Sequence, residues 1–404
     1  MTRRIHRVRD NLLVLKKDGS HATRTLPERS EHFHTTAYQF AVIDAHALAG
    51  ACAGGVRKQG GDDAVDDHTP FQAASISKAV FAVAVVKLAQ KGILDLDRDV
   101  NEYLKHFRVT AEPGLSDRIT LRMILGHLAG VNLHGDVGFI PGEPVATLLE
   151  MLEGTGVAPN PRVKVVRPQN TYIPRTPENP EGAYSGGGFM IGQQVVLDVL
   201  GTDDFAAVMD EWVLCPFGMT DSTFRQTNEP GFAAFYDQKP PIGYNPTRGG
   251  RRFEEYFPVP GGHTIRVGLS ESGLWTTATD LAKFGLHLLS ILKNDDDPTL
   301  RRGTLQEMLT LQEHSENGLG FYILPTADPE VAVFGHTGCI NGFISLAYFL
   351  TNGQGITMMF NSNEGMRLYY DLIRSFTREF AVPIPIEAID AMETAAFGYD
   401  PEAD

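Results

Sequence analysis

The chain has 404 residues, 42% of them apolar and 21% charged, proportions ordinary for a globular protein with a substantial core in one large or two intimate domains. A formal net charge of −15 argues against a nucleic-acid partner, which requires a basic face. No apolar run is long enough to span a bilayer, and three scattered cysteines (Cys52, Cys215, Cys339) do not make a disulfide framework, so a cytoplasmic setting with no membrane partner fits best.

The basic N-terminus is followed by an apolar run too short for a secretory signal. Ile5, Val8, Leu12 and Leu15 recur instead on one side of an expected amphipathic helix. Thr25 is placed to cap a short helix with Pro27 in its first turn. Residues 38–43 and 47–54 read as strands around a tight turn at Asp44. Residues 75–90 are apolar on nearly every face, which predicts a helix buried in the middle of the molecule, with Gly92 at its C-terminal end. From 99 to 262 short helices alternate with Pro/Gly-rich loops, the clearest helices being 147–153, 187–200 and 205–214. Six prolines in residues 159–180 predict an irregular surface loop. A helix is expected at 279–292 and strands at 321–324, 331–334, 343–350 and 356–360. The last two strands flank the hairpin signal Thr351-Asn-Gly-Gln-Gly. An amphipathic helix at 367–380 and an acidic tail from 386 to 404 close the chain. The pattern is α+β. A mostly antiparallel sheet flanked by helices is assembled from 1–98 and 263–385, with a mainly helical domain, 99–262, inserted between them. A cleft between sheet and helices is the natural place for a site.

Three short motifs carry chemistry. In Ser75-Ile-Ser-Lys78 the Ser75 hydroxyl and Lys78 ammonium share one face of a helix, at its N-terminal end, where developing negative charge is favoured. Ser290 and Lys293 have the same spacing but close a helix just before Asn294-Asp-Asp-Asp-Pro, the unfavourable end, and are rejected. Tyr184-Ser-Gly186 precedes a helix, and a tyrosine beside positive charge can serve as a phenolate base, although an isolated tyrosine is more simply a core residue. Gly335-His-Thr-Gly338-Cys339 follows the strand at 331–334 as a glycine-bearing turn, and the N–H after Gly338 can pair with that of Ser75 as an oxyanion hole. Trp275 either lines the cleft or fills the core. His32 and His34 have no carboxylate or cysteine at ligand spacing, so no metal is expected. No Gly-x-Ser-x-Gly elbow, phosphate loop or dinucleotide fingerprint occurs.

In order and spacing, the three motifs resemble those of the penicillin-recognising serine hydrolases. The resemblance is closest to class C β-lactamases, related serine esterases and D-aminopeptidases. It spans residues 38–383 and includes Phe71-Gln-Ala-Ala, Gly92-Ile-Leu-Asp-Leu-Asp-Arg-Asp-Val, Leu125-Gly-His-Leu-Ala-Gly-Val, Pro216-Phe-Gly-Met-Thr-Asp-Ser-Thr-Phe and Gly273-Leu-Trp-Thr-Thr. It implies a catalytic set of Ser75 as nucleophile, Lys78 as its activating partner, Tyr184 as base and His336 where many relatives carry lysine. It further implies backbone oxyanion donors at Ser75 and Cys339, substrate contacts at Gly186, Thr337, Gly338 and Trp275, and no metal or organic cofactor. His127 falls in a segment expected to support the fold. Two departures argue against antibiotic hydrolysis. Gly186 stands where β-lactamases commonly carry an asparagine, and His336 lacks a lysine's permanent charge. The expected activity is hydrolysis of a small ester or amide through an acyl-enzyme on Ser75. Alternatives are an acyltransferase using the same intermediate, a D-amino-acid peptidase, a weak β-lactamase, or a catalytically silent binding module.

Overall fold

The computed structural model describes residues 3–398 apart from 175, 177, 178, 180, 181, 230, 231, 233–239, 249, 250, 295, 296 and 314. Parts of the loops expected at 159–180 and 294–298, and the end of the acidic tail, therefore lie outside the described residues.

The N-terminal helix α1 (Arg3–Asp10) buries Ile5 and Val8 but stops there. Leu12–Leu15 is strand β1, paired antiparallel with β2 (His21–Arg24). Gly19, at φ +81°, donates to the Lys16 carbonyl and closes a tight turn between them. The apolar spacing matched a helix period, and the turn overrides it. Helix α2 (Leu26–His32) begins as expected with Thr25 and Glu28 in a reciprocal capping box. Strands β3 (Ala37–Asp44) and β4 (Ala47–Gly55) are joined through Ala45 and His46, both at positive φ, as a two-residue hairpin of this hand requires.

After a two-residue strand β5 (Phe71–Gln72) comes α3 (Ile76–Gln90), in which every residue from Ile76 to Leu88 is buried. The middle of the chain holds α4 (Leu121–Leu125), α5 (Leu148–Glu153), α6 (Gly186–Leu200) and α7 (Phe205–Met209), the last running into a π-helical turn, Asp210–Leu214. Two features differ from expectation. A hairpin, β6 (Tyr244–Arg248) with β7 (Arg251–Pro258), interrupts the helical run, its Gly249-Gly250 turn signal masked by Pro246 in the first strand. The 159–180 segment is irregular but not superficial: Val163 and Val165 are fully buried, and Val165 bridges Ala111 and Val131. Phe81 of α3 meets Phe189 of α6 and Phe205 of α7, so one core runs from the central helix into this region.

The chain returns through α8 (Leu269–Ser272), β8 (Trp275–Thr276), α9 (Ala278–Lys293), α10 (Arg302–Met308), β9 (Tyr322–Pro325), β10 (Ala332–Ile340), β11 (Phe343–Leu350), β12 (Gln354–Phe360) and α11 (Gly365–Phe380). The six-stranded sheet has the order β4-β3-β12-β11-β10-β9 and is antiparallel throughout. Alternation along the strands divides the core. Ala37, Ala41 and Ile43 of β3 face the cluster that includes α3 and α9. Tyr38, Phe40 and Val42 face a second cluster formed by Ile5 and Val8 of α1 with Leu368, Leu372, Phe376 and Phe380 of α11. The expected tail is instead helix α12 (Ile386–Phe397), held to α11 by ion pairs from Arg374 to Asp390 (2.6 Å) and Glu393. All three cysteines are unpaired, and among the described residues no helix is long and apolar enough to cross a membrane.

Gln72 pairs with Trp275 across β5 and β8. Trp275 is fully buried against His263, Phe232 and Phe343, so it belongs to the packing beneath the site rather than to an open wall. Burial holds the His263 imidazole down at about 4, against an ordinary 6.5. The folded protein therefore binds this proton less readily than the unfolded chain, and stability is complete above pH 6.5 and falls as pH drops toward 4. Thermal midpoints measured from pH 7 to 4.5 are expected to decline in the wild type, by roughly 1 kcal/mol per pH unit at most from this group. The decline in His263→Gln is expected to be shallower.

Candidate active site

The turn between β5 and α3 is held from three sides. Ala73 N–H donates to Leu274 (2.9 Å), Ser345 Oγ donates to the Ala73 carbonyl (2.7 Å), and Ser77 Oγ donates to the Ala74 carbonyl (2.6 Å) while accepting from Leu274 N–H (3.0 Å). These bonds maintain Ala74 at φ +50°, a conformation that costs a non-glycine residue about 1 kcal/mol or more. The second serine of the motif is thus committed to the backbone. Ser75 sits half-buried at the N-terminus of α3 and makes no capping bond with its side chain.

Lys78 is fully buried. Its Nζ donates to Ser75 Oγ (3.1 Å), to the Glu271 carbonyl (2.8 Å) and to Glu271 Oε2 (3.0 Å), which uses all three protons of an ammonium. Burial lowers its proton affinity below that of an ordinary lysine, and the Glu271 charge offsets only part of that loss. Glu271 Oε1 accepts from Asp136 N–H (2.7 Å) and Ser272 Oγ (3.0 Å), with Arg266 Nη2 3.4 Å away. Burial pushes this carboxyl up, but the Lys78 and Arg266 charges and the Asp136 amide hold it below the usual carboxylate range. Arg266 also donates to Ser272 Oγ (2.8 Å) and to the Asp136 carbonyl. The Asp136 carboxylate in turn accepts from the amides of Val267 and Gly268 (2.9 and 3.2 Å).

The Tyr184 ring lies 4.8 Å from Lys78 Nζ. It stacks on His127 (4.2 Å between centroids) and is flanked by His134 (5.0 Å) and His336 (6.2 Å). His127, at φ +58°, accepts the Ser185 N–H at Nδ1 (3.2 Å), so its proton is on Nε2. Ser185 caps α6 through Gly188 N–H (3.0 Å), and the Gly186 and Gly187 amides donate to the His134 and Leu133 carbonyls (2.8 and 3.0 Å). Gly186 is buried in this junction. A Cβ there would stand 2.8 Å from the His134 carbonyl and 2.9 Å from both Glu271 Oε2 and Gly135 Cα, so its role is close packing.

The Gly335–Cys339 motif lies within β10, not in a turn after it. Strand β9 pairs only with residues 332–335, so among the described residues 336–340 have a strand neighbour, β11, on one side alone. Gly338 abuts the start of α3, since a Cβ there would lie 2.2 Å from the Ala73 carbonyl and from Ser345 Oγ. His336 is buried beside Tyr322 (4.5 Å), and its Nδ1–H donates to the Thr337 carbonyl (2.5 Å). Thr337 is half-buried, and Cys339 is exposed near Asn363. Elsewhere, Ser290 Oγ donates within its own helix and Lys293 is exposed, as the rejected pair should be. No group of three potential metal ligands occurs among the described residues.

A beta-lactamase family model matches residues 23–374. The chain belongs to the beta-lactamase family. Within it, the chain is 25% identical over 295 residues to a putative penicillin-binding protein PbpX of Bacillus subtilis, covering 73% of this chain and 62% of the relative. It is 27% identical over 213 residues to esterase EstB of Burkholderia gladioli, covering 51% and 50%. The chain thus spans about half to three fifths of these relatives' length. In fold it resembles the octameric penicillin-binding protein homologue of Pyrococcus abyssi (TM-score 0.63, 18% identity, 93% of this chain and 77% of that one). It also resembles a D-amino acid amidase of Ochrobactrum anthropi (TM-score 0.63, 16% identity, 87% and 96%).

The structure gathers Ser75, Lys78, Tyr184, His336 and Gly338 at one place. Glu271 and His134 were not anticipated. A glutamate in Leu269-Ser-Glu-Ser reads as a solvated turn, and no local signal marks it. Gly338→Ala is expected to cost about 1–3 kcal/mol in thermal or denaturant unfolding, by forcing β10 from the Ala73 carbonyl. Labelling of Ser75 by a fluorophosphonate is expected to fall with it.

Proposed function

We propose that this beta-lactamase family member is a serine hydrolase that cleaves small esters or amides through an acyl-enzyme on Ser75, with esters the better substrates. The observation that carries the reading is the fully buried Lys78 Nζ at 3.1 Å from Ser75 Oγ and 4.8 Å from the Tyr184 ring. Ser75 attacks the carbonyl carbon, and its proton passes to Tyr184 as phenolate, which the Lys78 charge stabilises. The N–H groups of Ser75 and Cys339 receive the oxyanion. Tyr184 returns the proton to the leaving alcohol or amine, and water activated by the same phenolate releases the acid.

His336 sets the substrate class. Its Nδ1–H is given to the Thr337 carbonyl, and an imidazole lacks the permanent charge with which a lysine would hold a substrate carboxylate. With no side chain at Gly186 to hold a side-chain amide, this disfavours penicillins and suits uncharged esters. The similarity to an esterase and the fold shared with an amidase support both bond types.

The wild type is expected to hydrolyse p-nitrophenyl butyrate, with Ser75→Ala at background and Tyr184→Phe about a hundredfold or more slower in kcat. Equal rates for wild type and Ser75→Ala would remove Ser75 as the nucleophile. Nitrocefin is expected to be turned over far more slowly than the ester.

A further inference from the structure

Lys78 sits in a helix buried along nearly its whole length, where an ammonium without a counter-charge gives up its proton. Several elements present titratable groups to it: Tyr184 ahead of α6, Tyr322 on β9, Glu271 on α8, and Arg266 on the approach to α8, whose like charge opposes the ammonium. His127, His134 and His336 gather around the Tyr184 ring. The Asp136 carboxylate is turned to the Val267 and Gly268 amides. Among the described residues the acid in contact with the ammonium is Glu271, and its Oε2 lies 2.9 Å from where a Cβ at position 186 would project.

We propose that Glu271 is a positioning residue of the active site: from α8 its carboxylate supplies the polar group that position 186 lacks, and it keeps Lys78 charged and aimed at Ser75. This rests on the acyl-enzyme reading and assigns the proton traffic within it. Because Lys78 stays an ammonium, the Ser75 proton goes to Tyr184, and Lys78 contributes charge and a hydrogen bond. The pair is neutral as a unit, which lets it stay dry. Asp136 N–H, Ser272 Oγ and Arg266 all reach Glu271 Oε1, which fixes the carboxylate with Oε2 turned to Lys78.

The test measures the rate of Ser75 labelling by a fluorophosphonate across pH 5–10, located by mass spectrometry, because that readout requires no knowledge of the natural substrate. Serine Oγ displaces fluoride from phosphorus, and the hydroxyl proton leaves to the base. Glu271→Gln keeps the shape and removes the charge. Its alkaline limb, where Lys78 loses its proton, is expected to move down by about one pH unit or more, with labelling at pH 8 reduced about tenfold or more. Glu271→Asp, which keeps the charge, is expected to retain the wild-type limb even where it labels more slowly. A Gln variant with a lower thermal midpoint and an unmoved limb would make Glu271 merely structural and overturn the proposal. A Gln variant that labels faster near neutrality would overturn it too, since Lys78 would then act uncharged. If the Gln variant does not fold, the Asp variant decides: a retained limb supports the proposal, and a limb displaced downward by about one pH unit or more overturns it. Absence of any Ser75 labelling in the wild type would instead defeat the acyl-enzyme reading itself, and this proposal with it.

Discussion

An ammonium buried in the core has to be matched, and much of the local architecture follows from matching Lys78. Leaving one partner of a buried ion pair unpaired costs several kcal/mol, typically about 3–5. Glu271 meets the charge, Arg266 and the Asp136 amide complete Glu271, and the Asp136 carboxylate is completed by the next two amides after Arg266. Each group in the chain of contacts is satisfied by the one behind it. This series ties the loop at 132–138 to the approach to α8, and the Gly186 and Gly187 amides tie the same loop to the start of α6.

The sheet depends on a different constraint, the period of two along its strands. Because both faces of β3, β11 and β12 are buried, their sequences read as continuous apolar runs, and the division between faces becomes visible only in the structure. Most long elements were nonetheless legible. The helices α3, α6, α9 and α11, and five of the six sheet strands, lie within a few residues of where pattern and turn chemistry put them. The failures share a cause. Leu12–Leu15 has the spacing of a helix but a turn behind it, the 244–258 hairpin contains a proline, and α12 looks like a tail because tertiary ion pairs hold it. The length of β10 was missed because glycine and threonine disguised the strand's continuation.

The site divides in the same manner. Candidate residues that lie in a compact motif (Ser75 with Lys78, Tyr184, and the run from His336 to Cys339) can be found by spacing. Those that join the candidate site by tertiary contact cannot. His127 carried a clue only as part of a familiar segment, His134 carried none, and Glu271 lies 193 positions from the lysine it meets. Gly186 shows the intermediate case: its oddity was visible, and its explanation required the neighbours.

The crowding at Gly186 also bears on how this chain could change over generations. Restoring an asparagine there is more than a codon change, because the obstruction includes the main chain at His134 and Gly135 as well as the movable Glu271 side chain. Removing the Glu271 carboxylate first would strand Lys78, and inserting the asparagine first would collide with the loop. Either order passes through a strained intermediate, so an asparagine at this position requires a reshaped loop first.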